Sequence, residues 1–181
     1  MDRGSTSSTL AEAIIFDVDG TLCDVRSVRH HVERPSDTLR FRPNFNRFHS
    51  ESIYCPAHEQ VVRLLNRARE AGYVILVVTG REEKWSFLTS TWLSEWSISY
   101  DELIMRPARD NRSDAIVKAE IEREISKRFN ARLAVDDRED IIEVWQRAGI
   151  ATCRVSPDGN IGPIRWSSLA SEQRLAWVAN P

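Results

Sequence analysis

Five short apolar runs punctuate the chain, and stretches with helical spacing lie between them. "AIIFDV" (13–18), "YVILVV" (73–78) and "RLAV" (132–135) are continuous rather than alternating, as strands covered on both faces are. "ELIM" (102–105) and "ATCRV" (151–155) are weaker runs of the same kind. "HEQVVRLLNRAREAG" (58–72) places Val61, Leu64, Leu65 and Ala68 on one helical stripe and stops at Gly72. "EEKWSFLTSTWL" (82–93) carries Trp85, Leu88 and Trp92 at helical spacing, which reads as core or groove packing rather than a base-stacking platform. The pattern predicts further helices over 113–129, capped by Ser113 or Asp114 with Ile121 and Ile125 inward, and over 140–149.

Strands separated by helices predict an α/β fold, a doubly wound, Rossmann-like parallel sheet of five strands. The 181 residues fit one domain. Residues 1–11 read as a mobile polar tail and 12–156 as the core, with a small cap insertion at about 24–56. Residues 157–181 read as a C-terminal tail whose "LASEQRLAWVA" is expected to form a docking helix.

In such sheets a ligand sits at the carboxyl ends of the strands, near the switch in strand order. The first strand is followed by Asp17, Asp19, Gly20 and Thr21, and the second by Thr79, Gly80 and Arg81. The fourth is followed by Asp136 and Asp137, while Asp114 and Lys118 open the helix after the third. A plain Asp-Gly turn would account for residues 17–20 alone, but not for Thr-Gly-Arg and a lysine as well.

Charge sharpens this picture. Residues 24–50 hold six arginines (Arg26, Arg29, Arg34, Arg40, Arg42, Arg47) against Asp24, Glu33 and Asp37. That segment is +3 in a chain of net charge −2, which leaves −5 elsewhere. A basic insertion on an acidic body implies attraction for an anionic substrate at one place, and the small net charge argues against tight coating of nucleic acid. His30, His31 and His49 of the insertion read as surface residues.

Hydrophobic residues at 41% with 29% charged fit a globular chain, and no apolar run approaches the ~20 residues of a membrane helix. "MDRGSTSSTL" lacks the apolar segment of a secretory signal. Cys23, Cys55 and Cys153 form no C-x-x-C pair, so neither a zinc site nor a disulfide framework is indicated. The expectation is a cytoplasmic protein with no membrane partner, and Cys23 reads as a small buried residue.

Carboxylates gathered on one edge repel unless a cation sits among them. Without His or Cys neighbours, a hard ion such as Mg²⁺ suits them, especially when a phosphate completes its shell. Lys118 adds positive charge, and Thr79, Gly80 and Arg81 are placed to hold phosphate oxygens. Asp17 is then the nucleophile, and Asp19 protonates the leaving oxygen and later activates water.

"DVDGT", "VVTGR", the later lysine and "VDD" resemble, in order, the haloacid dehalogenase-like (HAD) phosphatase superfamily over residues 12–156. "IMRPARDNRSDAIVKAEI" and "LAVDDREDIIEVWQRAGI" are similar to the phosphatase domain of bacteriophage polynucleotide kinase, a nucleic-acid 3′-phosphatase. This resemblance implies catalytic Asp17, Asp19 and Lys118, and substrate contacts from Arg81 and Asp114, with Asp110 and Arg112 in the same D-x-R-x-D-x-x-x-K stretch. It also implies a magnesium site at Asp17, the backbone carbonyl of Asp19 and Asp137, with Asp136 close by. The implied role is removal of 3′-phosphates from DNA or RNA ends, beside a separate kinase or ligase. No G-x-x-x-x-G-K-[ST] occurs within these residues. Two other readings stand beside it: a nucleotide or small-molecule phosphomonoesterase, and a non-catalytic binding module.

Overall fold

The computed structural model describes residues 10–34, 36 and 40–166. Its sheet contains β1 (Ala11–Phe16), β2 (Val74–Glu82), β3 (Glu102–Arg106), β4 (Phe129–Asp136), β5 (Ala151–Val155) and β6 (Ile161–Arg165). Their order is β3-β2-β1-β4-β5-β6, with parallel pairing throughout except between β5 and β6.

The sixth strand corrects the expected five. Its sequence, Ile-Gly-Pro-Ile-Arg, is no apolar run, and an antiparallel edge strand does not need to be one. An edge also tolerates Pro163, because one side of it has no ladder to complete. This strand lies in the stretch expected to be tail, and the helix expected further along falls outside the described residues.

β1 shows why its sequence is apolar without alternation. Ile14 and Phe16 join Ile75, Val77, Leu133 and Val135 in one core, while Ala13 and Ile15 join Leu76, Val78 and Ala134 in another. The first core is covered by α2 (Glu59–Glu70) through Val61, Leu64, Leu65 and Ala68, and by Trp92 and Leu93 of α3 (Ser86–Glu95). The second is covered by α4 (Asp114–Ile125) through Val117, Ile121 and Ile125, and by Ile141 and Trp145 of α5 (Glu139–Arg147). Both faces of the central strands are therefore covered by apolar side chains.

One boundary differs from the sequence reading. α4 stops at Ile125 because Phe129 already belongs to β4, paired with Ala11. Ser113 occupies the N-cap of α4, but its side chain makes no capping bond. Its carbonyl instead accepts from the Ile116 and Val117 N–H groups.

The insertion closes on its own root. The Asp24 N–H donates to the Pro56 carbonyl at 2.9 Å, and Cys23 bridges to Ala57. Among the described residues between them lie short 3₁₀ turns and one helix, α1 (Phe45–Glu51), which no periodic run announces. Val25, Val28, Phe48 and Cys55 enter the same core as Phe16. Cys23 is fully buried, and its thiol points at the Ser52 carbonyl. Among the described residues, no helix is long and apolar enough to cross a membrane.

Candidate active site

The chain leaves β1 at the point where the strand order reverses, since β1 lies between β2 and β4. The Asp17 N–H donates to the Val135 carbonyl at 3.0 Å, so the ladder itself sets Asp17 beside the end of β4. Gly20 then turns the chain at φ 85°. A side chain there would be strained by that φ and would also strike the Asp137 carboxylate and the Arg29 guanidinium.

Lys118 reaches the centre of this edge from the second turn of α4. Its Nζ donates to Asp17 Oδ1 at 2.7 Å and to Asp136 Oδ2 at 2.9 Å, with Asp114 Oδ2 at 3.9 Å. The side chain is 1% exposed. Burial alone would lower the lysine's pKa, but Asp136, Asp17 and Asp114 overcome it and raise the value, so the ammonium stays charged. For Asp17, burial pushes the carboxyl up, and Asp136 and Asp137 push it further against the pull of Lys118.

Asp137 completes the cluster. Burial first, then Asp136, push its carboxyl up to about 6, against the pull of Arg29, whose Nη2 lies 3.2 Å from Oδ2. Asp17, Asp136 and Asp137 each offer an oxygen, and these oxygens lie within 4.8 Å of one another. Asp137 Oδ1 is buried without a hydrogen-bond partner among the described residues. Lys118 and Arg29 together do not neutralise three carboxylates, and an orphaned buried oxygen is a standing cost. An all-oxygen set of this kind fits a hard divalent ion such as magnesium.

Asp19 occupies a separate environment. Arg81, itself fully buried, donates Nε to Asp19 Oδ2 at 2.9 Å and Nη2 to Oδ1 at 2.5 Å. Burial would raise the Asp19 carboxyl, but the charge and hydrogen bonds of Arg81 hold it below the usual carboxylate range. A metal role for Asp19 therefore rests on its backbone carbonyl, since its carboxylate is taken. Thr79 Oγ1 accepts the Arg81 N–H at 3.2 Å, and Arg81 Nη1 reaches Thr89 Oγ1 at 3.2 Å. Gly80 is required because a Cβ there would collide with the Asp114 carboxylate. Asp114 in turn is held by Arg106 Nη2 at 3.1 Å, and Arg106 Nε binds the Gly80 carbonyl at 2.7 Å. Arg112 pairs with Asp110 and with Glu120, and the Asp110 and Arg112 carbonyls both accept from Arg106 Nη1.

The site residues expected from sequence thus fall into two groups on one edge. Asp17, Lys118, Asp136, Asp137 and Asp114 gather around the lysine; Asp19, Arg81, Thr79 and Gly80 form the second group. Arg81 sits in a buried ion pair with Asp19. Sequence reasoning missed four neighbours: Arg29, Arg106, Arg138 and His49. Arg138 Nη1 lies 3.4 Å from Asp114 Oδ2. His49 corrects its surface reading, since it is 7% exposed and its Nδ1 lies 3.9 Å from Asp19 Oδ2. Burial pushes this imidazole down to about 4, against the pull of Asp19. The sequence of the insertion carries no periodic run that says which way His49 faces.

A parallel sheet carrying a lysine-centred aspartate cluster at its switch point is the arrangement of a phosphatase-type hydrolase. Residues 11–160 match the family described as the polynucleotide kinase PNKP phosphatase domain, and the chain belongs to that family. It is a HAD-type phosphatase domain. It is 28% identical to a chain in the structure of the Pnkp1/Rnl/Hen1 complex, at a TM-score of 0.67 over 82% of this chain and 47% of that one. A HAD hydrolase, family IA, variant 3 from Entamoeba histolytica is 13% identical at a TM-score of 0.60, covering 82% of this chain and 86% of that one. The class C acid phosphatase from Bacillus anthracis with tungstate bound is 15% identical at 0.53, over 74% of this chain and 55% of that one. The last two share the fold. The chain spans about half the length of the complex chain it matches.

Proposed function

We propose that this chain hydrolyses a phosphomonoester with the aid of magnesium, and that its substrate is the 3′-phosphate of a DNA or RNA end. One observation carries the reading: two carboxylates two residues apart are held in different environments. Asp17 lies against Lys118, and Asp19 lies against Arg81.

Lys118 grips Asp17 Oδ1, which leaves Oδ2 as the attacking atom. Oδ2 forms a bond to phosphorus as the bond to the leaving oxygen breaks, giving an aspartyl-phosphate on Asp17. Asp19 delivers a proton to the leaving oxygen, then accepts one from the water that attacks phosphorus and restores Asp17. In the free protein Arg81 holds Asp19 ionised. An arriving phosphate competes for that guanidinium, and the released carboxyl, still buried, takes up the proton it needs. Asp17, Asp136 and Asp137, with the Asp19 carbonyl, would hold magnesium, which would supply positive charge to offset that on the phosphoryl oxygens.

The nucleic-acid substrate is supported by membership of the PNKP phosphatase family and by likeness to a chain of an RNA repair complex. That likeness also supports a kinase or ligase as partner. Three buried free cysteines suit a reducing compartment such as the cytoplasm.

The test is a set of specificity constants with magnesium for 3′-phosphorylated oligonucleotides beside 3′- and 5′-mononucleotides. The expected kcat/KM is at least about tenfold higher for the oligonucleotide end. Equal values would favour a small-molecule phosphomonoesterase.

A further inference from the structure

If the proposed function holds, the leaving oxygen belongs to a nucleoside and takes its proton from Asp19. The nucleoside must then extend from the Asp19 side, away from Lys118 and the three carboxylates. That side is aromatic. His49 Nδ1 is 3.9 Å from Asp19 Oδ2, and the His49 ring packs on Trp85 with centroids 5.7 Å apart. The His49 ring also stacks with Phe45 at 6.2 Å and 28°. Phe45 is 57% exposed although it sits on the helix whose Phe48 fills the core. Lys84 Nζ lies 5.7 Å from the centre of the Trp85 ring. Two rings from two elements thus flank one buried imidazole that starts at the general acid. Single exposed aromatics need no explanation, but a contiguous row leading out of a site does.

We propose that Phe45 and Trp85 form a stacking platform for the terminal base of a 3′-phosphorylated strand. Every base offers a π-face, so the platform selects for a nucleobase without choosing among the four. Lys84, beside Trp85, and Arg47, 67% exposed on the Phe45 helix, place positive charge where the strand's phosphates follow. Sugar phosphates and simple alkyl phosphates lack the group it recognises.

The experiment pairs two oligonucleotides, both 3′-phosphorylated, one ending in an ordinary nucleotide and one in an abasic tetrahydrofuran. Wild-type kcat/KM is expected to be about tenfold higher for the base-bearing end. Phe45→Ala, at an exposed position, should bring the two ends to within about twofold, and Phe45→Trp should restore the preference. Trp85→Leu should erode it as well, which guards against a role of Phe45 in folding. A preference that survives in both Phe45→Ala and Trp85→Leu would overturn the platform. So would equal wild-type rates on the two ends, while leaving the 3′-phosphatase reading intact. A wild-type protein that releases no phosphate from any 3′-phosphorylated oligonucleotide would overturn that reading and the platform with it.

Discussion

Arg81 faces Asp19 edge-on, and two nearly parallel hydrogen bonds of 2.9 and 2.5 Å bind the guanidinium to the carboxylate. The pair holds Asp19 ionised in the free protein, and in the proposed mechanism an arriving phosphate releases it. A single-point cation could not reproduce this fork.

Arg81→Gln is therefore expected to let burial dominate, so that the Asp19 carboxyl rises. For an alkyl phosphate, which needs its leaving oxygen protonated, the alkaline limb of kcat/KM should move to higher pH while the maximum falls. An aryl phosphate with a good leaving group should show little of that limb in either protein. Loss of a buried partner should also lower the stability by about 3–5 kcal/mol. Identical pH profiles for the two proteins on the alkyl ester would refute the assignment.

Asp17→Asn should reduce turnover by at least about a thousandfold, because an amide does not form the acyl-phosphate. The fold should survive, and the Tm of the metal-free protein should hold or rise. Three carboxylates surround one ammonium, and removing one relieves repulsion at the expense of function. Phosphate release and thermal melting on the same purified sample check both halves.

The third prediction follows from Asp137, whose carboxyl is pushed from 3.8 to about 6. Between those values the metal-free fold holds a proton that the unfolded chain has released. Its stability should fall as the pH rises through that window, by up to about 3 kcal/mol. Magnesium should therefore raise the Tm clearly at pH 7.5 and much less at pH 5. His49, held down to about 4, contributes with the opposite sign below its ordinary 6.5, and comparison with Asp137→Asn separates the two. Calorimetry with magnesium and with EDTA reads the effect. A magnesium shift that is the same at both pH values in wild type, or undiminished in Asp137→Asn, would contradict it.

The sheet and the lysine cluster were legible because their signals are local. A strand buried on both faces has to be an apolar run, and the residues after it have to sit at its carboxyl end. Asp17 and Asp136 needed nothing more, and Lys118 needed only the four-residue helical step from Asp114. β6 left no such trace, since an edge strand with Gly162 and Pro163 obeys neither rule. His49 and Arg29 were illegible for a different reason. Nothing in the order of residues 24–56 says which way α1 faces, and only its packing through Phe48 turns His49 toward Asp19. Trp92 proved to be core, its indole donating to the Cys55 carbonyl, whereas Trp85, seven residues earlier at the same helical spacing, lies at the site.

The insertion's charge gives a fourth prediction. Arg29 is occupied by Asp137 and Glu33, and Arg26 by Asp24 and Asp158. Arg40 and Arg42 are exposed and make no ion pair among the described residues, and Arg47 has only Glu51 at 3.5 Å. Neutralising Arg40, Arg42 and Arg47 together should lower oligonucleotide kcat/KM by about tenfold or more and flatten its salt dependence. A mononucleotide, with only its reacting phosphate, should lose far less. Equal losses on both substrates would assign these arginines to the solvated surface.

Because Val25, Val28, Phe48 and Cys55 are sunk into the same core as the central strand, the described part of the insertion is anchored in that core. It is masonry shared with the sheet rather than a separate flap laid over it. A substitution that loosens Val28 or Phe48 is felt by the central strand as well, and the stability of the insertion and that of the sheet rise and fall together.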